Sequence, residues 1–289
     1  MPDPHRFTRL FEASGELTPD SISEFQQIIF KHFHDNPRPM PWRETRDPYS
    51  ILVSEIMLQQ TQVARVVVKY TEFLAAFPTL RYLAEASLPD VLKVWQGLGY
   101  NRRALALKRC AEEVVKLHGG CLPNTVADLE KLPGIGPYTA GALAAFAYNI
   151  ATPLIETNIR TVFIHFFFHG QERIADRQIM PLVAATLLHD SPREWYYALM
   201  DYGVMLKLAH PNPSRRSAHH VKQSKFEGSN RQLRSRMLQE VMNCPGISLQ
   251  RMAKVLASSD AGQIEKNLVA LAKDGFLEKA GRGYRIKEG

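Results

Sequence analysis

Residues 132–143 read LPGIGPYTAGAL. Gly134 and Gly136 stand one residue apart, Pro137 suits the first position of a helix, and small residues follow it. Just upstream, TVADLEK (125–131) reads as a short helix, so the stretch predicts helix, glycine-rich hairpin, helix. A turn without Cβ atoms lets backbone N–H groups at a helix N-terminus approach a phosphate, with no dependence on base sequence. A plain turn between helices is the simpler reading. LPGxG followed by a small-residue helix is more particular than that, and favours a grip on the DNA backbone at Gly134 and Gly136.

On either side of the hairpin, apolar residues recur every three and four positions over 21–34, 49–77, 80–95, 103–117, 140–148, 159–168, 179–188 and 194–208. This is a helical pattern throughout, and no convincing strand stands before residue 210. Further on, 232–242, 248–256 and 261–274 read as three short helices. They are followed by GFLEKAGRGYRI (275–286), two strand-like pieces around the turn from Gly281 to Gly283. Three helices and a terminal hairpin suggest a winged helix-turn-helix, a shape that lies against DNA and also mediates protein contacts. The expected fold class is mainly α, with a small C-terminal winged-helix-like α+β module.

The chain has 289 residues, 45% of them hydrophobic and 22% charged, which is ordinary globular composition for one large or two modest domains. It contains no run of 18 or more uncharged apolar residues, and its N-terminus lacks a signal-peptide pattern. A cytoplasmic protein without membrane association is expected. Cys110, Cys121 and Cys244 are widely spaced, which argues for free thiols rather than a disulfide framework or a zinc or iron–sulfur site. The net charge of +7 fits a polyanionic partner. Between residues 207 and 236, eight Lys or Arg stand against one acid, Glu227, with Pro211 and Pro213 breaking any helix. Such a connector, carrying Arg215, Arg216, Lys222 and Lys225, is either a solvated linker or a track for phosphates.

Two acids stand in apolar settings. Glu55, in YSILVSEIMLQQ, would have its carboxyl pKa raised by burial, making it a proton donor near neutral pH. Gln59, Gln60, Thr61 and Gln62 follow it, four polar side chains in a row that suit probing bases better than filling a core. Glu156, in ATPLIETNIRTVFIHFFF (151–168), precedes a helix-like run, where it or Thr157 could cap free backbone N–H groups. An acid held that way stays ionised, as an anion that stabilises a cation must.

PWRETRDPYSILVSEIMLQQTQV, VWQGLGYNRRALALKRCAEEV, LHGG, LPGIGPYTAGAL and YYALMDYG occur in order over about residues 25–205. Together they resemble an adenine DNA glycosylase of the MutY type, within the helix-hairpin-helix glycosylase superfamily. The resemblance implies a two-lobed helix-hairpin-helix domain over 1–208; the basic connector at 209–229 and the winged-helix-like module at 230–289 follow it. It implies base excision repair on double-stranded DNA carrying a mispaired or damaged base, by a monomer at the bacterial nucleoid. Glu55 matches the general acid that protonates adenine, and Glu156 falls where an aspartate steadies the positive charge on the deoxyribose. Gln59 matches a wedge into the opened duplex, and Tyr100 a residue that intercalates beside the partner base. Trp42, Arg43 and Tyr138 match the lining of the base pocket. Tyr138 stands where strand-cutting relatives carry a Schiff-base lysine, so base removal without lyase activity is expected.

The chain departs from that pattern in three ways. The family's four cysteines after the ALMDYG helix are absent, so no iron–sulfur cluster is expected. His210, His219 and His220 in a basic loop suit phosphate or solvent better than a metal, and the one ion in view is a monovalent cation at the hairpin. The family's β-rich domain that checks for 8-oxoguanine is replaced by the winged-helix-like module. Glu156 is one methylene longer than the expected aspartate, which moves the charge by about 1.5 Å. A misplacement of about 1 Å can cost ~100-fold in rate. Adenine opposite 8-oxoguanine or guanine is the leading substrate. Thymine or uracil opposite guanine is an alternative, as is a DNA-bound regulator without catalysis.

Overall fold

The computed structural model of the chain describes residues 17–221, 225–256 and 260–288. From residue 17 to residue 216 the regular elements are helices: α1 (Pro19–Asp35), α2 (Pro48–Leu58), α3 (Val63–Ala76), α4 (Leu80–Glu85), α5 (Leu88–Trp95), α6 (Arg102–His118), α7 (Val126–Leu129), α8 (Pro137–Phe146), α9 (Thr157–Phe167), α10 (Asp176–Thr186) and α11 (Pro192–Ala209), then a 3-10 turn at Pro213–Arg216. The C-terminal part runs α12 (Asn230–Asn243), β1 (Ile247–Ser248), α13 (Leu249–Val255), α14 (Ala261–Asp274), β2 (Leu277–Ala280) and β3 (Gly283–Ile286). Its antiparallel sheet has the order β1-β3-β2, with Ile247 opposite Tyr284 and Lys279 opposite Tyr284. This is the helix and strand order of a winged helix. Only β1, two residues long, had no signal in the sequence.

The periodic runs 49–77 and 80–95 each divide into two helices. The first breaks at 59–62, where Gln60 takes a left-handed φ of 55° that no helix interior accepts. The second breaks at Ser87, which caps α5 by accepting from the Asp90 N–H.

The chain forms two compact units. The first contains residues 1–51, 124–130 and 136–222, and the second residues 52–123, 131–135 and 223–289. The core of the first is aromatic. Phe25 of α1 meets Phe163, Phe166 and Phe167 of α9 and Trp195 of α11 edge-on, at ring separations of 5.2–5.8 Å. The phenylalanine run after Glu156 is therefore core. Gly203 sets how closely α11 approaches α9, because a Cβ there would lie 2.4 Å from the Asn158 carbonyl oxygen.

In the second unit, α3 to α6 form a helical layer with Phe73 and Trp95 at its centre, rings 5.8 Å apart. The C-terminal module packs on this layer. Arg102 of α6 and Arg234 of α12 both bind Asp274 at the end of α14, at 2.8 and 2.5 Å, and Gln96 donates to Gln239. Gly134, at φ 77°, lies against α6, where a Cβ would come within 2.6 Å of Ala106. Its glycine is thus required by packing, whereas a Cβ at Gly136 would meet open space ahead of α8.

Candidate active site

Glu55 lies on α2, buried at 7% exposure among Ile51, Leu52, Val53, Ile56 and Met57. The polar stretch after it emerges from the core: Gln59 and Thr61 are half-buried, Gln60 and Gln62 exposed. One side chain ties this turn to the loop before α6. The Arg103 guanidinium donates to the carbonyls of Ile56, Met57 and Gln59 at the end of α2, to Thr61 Oγ1, and to the Leu98 and Gly99 carbonyls. A cation there also complements the negative end of the α2 dipole. Burial lowers the Arg103 pKa to about 10, and the guanidinium remains charged at neutral pH. Tyr100 has a left-handed φ of 49°, close to Gly97 at 91° and Gly99 at 71°. That conformation is an outlier for a bulky residue and marks a position held in place by its surroundings. Sequence reading did not single out Arg103, because its partners are scattered over 56–61 and 98–99.

In the first unit, Glu156 is the N-cap of α9 and accepts from the Asn158 and Ile159 N–H groups at 2.6 and 2.8 Å. Of the two capping candidates, Glu156 is the one used. Asn158 Nδ2 donates to Glu156 Oε2 at 3.2 Å, and Lys207 Nζ donates to Asn158 Oδ1 at 2.7 Å. Arg160, one turn into α9, makes a two-pronged pair with Asp176 at 2.7 Å for each prong. Burial pushes the Glu156 carboxyl above its ordinary value. The two N–H groups and the charges of Lys207 and Arg160 oppose that shift without overcoming it. Burial and the cap thus act on the Glu156 carboxyl in opposite directions, and burial is the larger. Burial likewise lowers Lys207, which Glu156 partly offsets.

Trp42 is buried, while Arg43 and Tyr138 are half-buried. Arg43 grips the fully buried carboxylate of Asp201 through two nitrogens at 2.7 and 2.8 Å, Arg38 adds a third bond at 2.6 Å, and the Arg43 guanidinium lies 4.6 Å from the Tyr197 ring centre. Arg43 lines a cavity of about 630 Å³ with Met40, Arg193 and Tyr197. Its charge is spent on Asp201, a partner 158 residues away that no local pattern reveals.

The connector is not a uniform phosphate track. Arg216 turns inward and donates to the Ile164 carbonyl at 3.0 Å and the Phe168 carbonyl at 2.5 Å, which close the C-terminal end of α9. The adjacent Ser217 makes a parallel bridge with Ile174. Arg216 thus fastens the fold. Arg215 and Lys225 are exposed, and Lys222 lies outside the described residues.

A four-cysteine cluster does not fit this chain. Cys121 and Cys244 bracket the relevant stretch with no thiol between them, and Arg216 and Ser217 are already committed to fastening the segment after α11. Among the described residues, no group of three or more His, Cys, Asp or Glu is placed to hold a metal ion, and no helix is long and apolar enough to cross a membrane.

A hairpin-linked helix pair, a buried acid on one helix and a second acid capping another define a class of base-excision fold, and comparison with known proteins agrees. The family described as "HhH-GPD superfamily base excision DNA repair protein" matches residues 53–184. An adenine DNA glycosylase of Mycolicibacterium smegmatis is 32% identical over 265 residues, covering 85% of this chain and 90% of that protein. The chain belongs to this superfamily, in its adenine DNA glycosylase-like branch. The adenine DNA glycosylase of Buchnera aphidicola (subsp. Baizongia pistaciae) is 34% identical over 188 residues, covering 64% of this chain and 53% of the relative, and the human one is 34% identical over 194 residues, covering 63% and 36%. The chain therefore spans about half or less of those two. In fold it is similar to a thermostable thymine-DNA glycosylase (TM-score 0.57, 24% identity, 64% of this chain and 86% of that one) and to endonuclease III trapped on DNA (TM-score 0.55, 16% identity, 65% and 86%).

Proposed function

We propose that the protein is a monofunctional DNA glycosylase of base excision repair that removes adenine mispaired with 8-oxoguanine or guanine. The observation that carries this reading is Glu55, an acid 7% exposed in an apolar helix, in a chain whose relatives bear the name adenine DNA glycosylase. Burying an acid without use costs stability, so its presence in that core asks for a function.

The reaction is assigned as follows. The protonated Glu55 carboxyl gives its proton to the ring nitrogen of a flipped adenine, and the C1′–N9 bond breaks with its electron pair going to the base. The cation left on the deoxyribose is stabilised by ionised Glu156, and water adds at C1′, returning its proton to Glu55. The products are free adenine and an abasic site. Tyr138 cannot form an imine, so the strand stays intact. Gln59, Gln60 and Tyr100 act on the opened duplex, Gly136 with Arg215 and Lys225 on its phosphates, and Trp42 and Tyr138 at the base. No iron–sulfur cluster takes part, and any ion is a monovalent cation at the hairpin. The protein works as a monomer on chromosomal DNA in the cytoplasm.

The reading is tested by single-turnover base release from duplexes holding A opposite 8-oxoguanine, A opposite G, and T or U opposite G. Release of adenine alone supports it. Release of only thymine or uracil reassigns the substrate, and tight binding without release of any base marks a non-catalytic DNA-binding protein.

A further inference from the structure

One face of α11 carries three contacts to the stretch of chain that delivers Glu156. Tyr196, Gly203 and Lys207 are spaced seven and then four residues apart, which at 3.6 residues per turn puts them within about 20° of one line along the helix. Gly203 lets the start of α9 close on α11, and Lys207 holds Asn158 beside the carboxylate. Tyr196, at the head of this row, meets the chain before Glu156 is reached.

The Tyr196 ring is fully buried, edge-on to Phe146 at 6.4 Å. Its hydroxyl donates to the Thr152 carbonyl at 2.7 Å and accepts from the Leu154 N–H at 3.2 Å. A single oxygen thus closes a loop across Pro153, whose ring already fixes its own φ and keeps Thr152 extended. From the other side the stretch is backed by α8, where a Cβ at Gly141 would meet the Leu154 and Thr152 side chains at 3.5 and 3.7 Å. Burial raises the Tyr196 phenol above its ordinary value, so the hydroxyl stays protonated and keeps donating. Glu156 follows two residues after Leu154, itself extended at φ −132° and ψ −179°, immediately before α9 begins. A phenylalanine at 196 would fill the same space as the tyrosine. What the hydroxyl adds is a fixed path for the residues that lead into Glu156.

We propose that Tyr196 is a positioning residue for base excision: its hydroxyl fixes the approach of residues 152–156, and through it the placement of the Glu156 carboxylate against the sugar. The proposal rests on the glycosylase reading. Tyr196 acts through Glu156 and not on the substrate, so the two residues are coupled, and the effect of one depends on the presence of the other.

The test is a double-mutant cycle on the full chain, read as single-turnover adenine release from a duplex with A opposite 8-oxoguanine, at a temperature where melting curves show every variant folded. Tyr196→Phe is expected to slow release roughly tenfold with duplex affinity unchanged, a part of the ~100-fold that a misplacement of about 1 Å can cost. Added to Glu156→Gln, the same substitution is expected to change nothing further. Thr186→Val is the control: it removes a fully buried hydroxyl on α10 of the same unit, one that donates to the Leu182 carbonyl at 2.9 Å, and is expected to release adenine as wild type does. Release at the wild-type rate in Tyr196→Phe, a tenfold loss that persists in the Glu156→Gln background, or equal slowing by Thr186→Val overturns the proposal. Wild-type release separates the two readings: release that Tyr196→Phe leaves unchanged removes only the positioning role, whereas absence of release from wild type removes the glycosylase reading and the proposal with it.

Discussion

Lys207 reaches Glu156 through a single amide: its ammonium donates to Asn158 Oδ1 at 2.7 Å, and Asn158 Nδ2 donates to the carboxylate at 3.2 Å. The lysine lowers a carboxyl that burial raises. Lys207→Met therefore moves the acid limb of the kcat profile to higher pH, with activity lost below the limb. Lys207→Arg restores it. The stability effect has a matching sign. A carboxyl whose folded-state pKa is raised contributes stability at pH below its unfolded value and loses it as pH rises through the folded value. Thermal melts are expected to show Lys207→Met falling further behind wild type at pH 8 than at pH 5.

Gly203→Ala is expected to disturb the same site from the side. A Cβ 2.4 Å from the Asn158 carbonyl oxygen can be accommodated only if the start of α9 moves away from α11, at a cost of about 1–3 kcal/mol. Because Glu156 caps that helix start, base release falls by more than the melting temperature alone would account for. Denaturant titration beside single-turnover kinetics separates the two effects.

Arg103→Met removes the cation that binds the carbonyls at the end of α2 and in the 98–99 loop, leaving several of them unsatisfied. A loss of about 3–5 kcal/mol is expected on urea unfolding. Arg103→Lys recovers only part of it, because an ammonium with three donors cannot span the carbonyls that the guanidinium fork joins.

With tyrosine at position 138, borohydride treatment during turnover is expected to leave no covalent protein–DNA adduct and no strand break beyond that of a bare abasic site. A strong adduct on denaturing gels would instead point to a lysine acting elsewhere in the chain.

How much was legible in the sequence depended on how local each interaction is. The hairpin, the Glu156 cap and the helices of the C-terminal module follow from neighbours within a few residues, and they stand where the sequence puts them. The break after Leu58 falls at the polar run 59–62, but the side chain that fastens it, Arg103, stands more than forty residues on and could not be read from that run. Asp201 likewise looks like one more polar position on α11 until Arg38 and Arg43 arrive from the other end of the unit. Arg216 is a third case, since a basic residue in a proline-rich connector gives no hint of partners that are helix-end carbonyls some fifty residues earlier.

The central claim is that Glu55 and Glu156 divide the work of breaking one glycosidic bond, and single-turnover adenine release from a duplex with A opposite 8-oxoguanine tests it most directly. Wild type is expected to release adenine, Glu55→Gln to lose roughly 100-fold or more while still binding the duplex, and Glu156→Gln to lose activity comparably without gaining a lyase product. Glu156→Asp reads the geometry: faster release means the longer side chain is a compromise, and loss of release means the site is built around glutamate. Wild-type release that persists unchanged in Glu55→Gln would contradict the account.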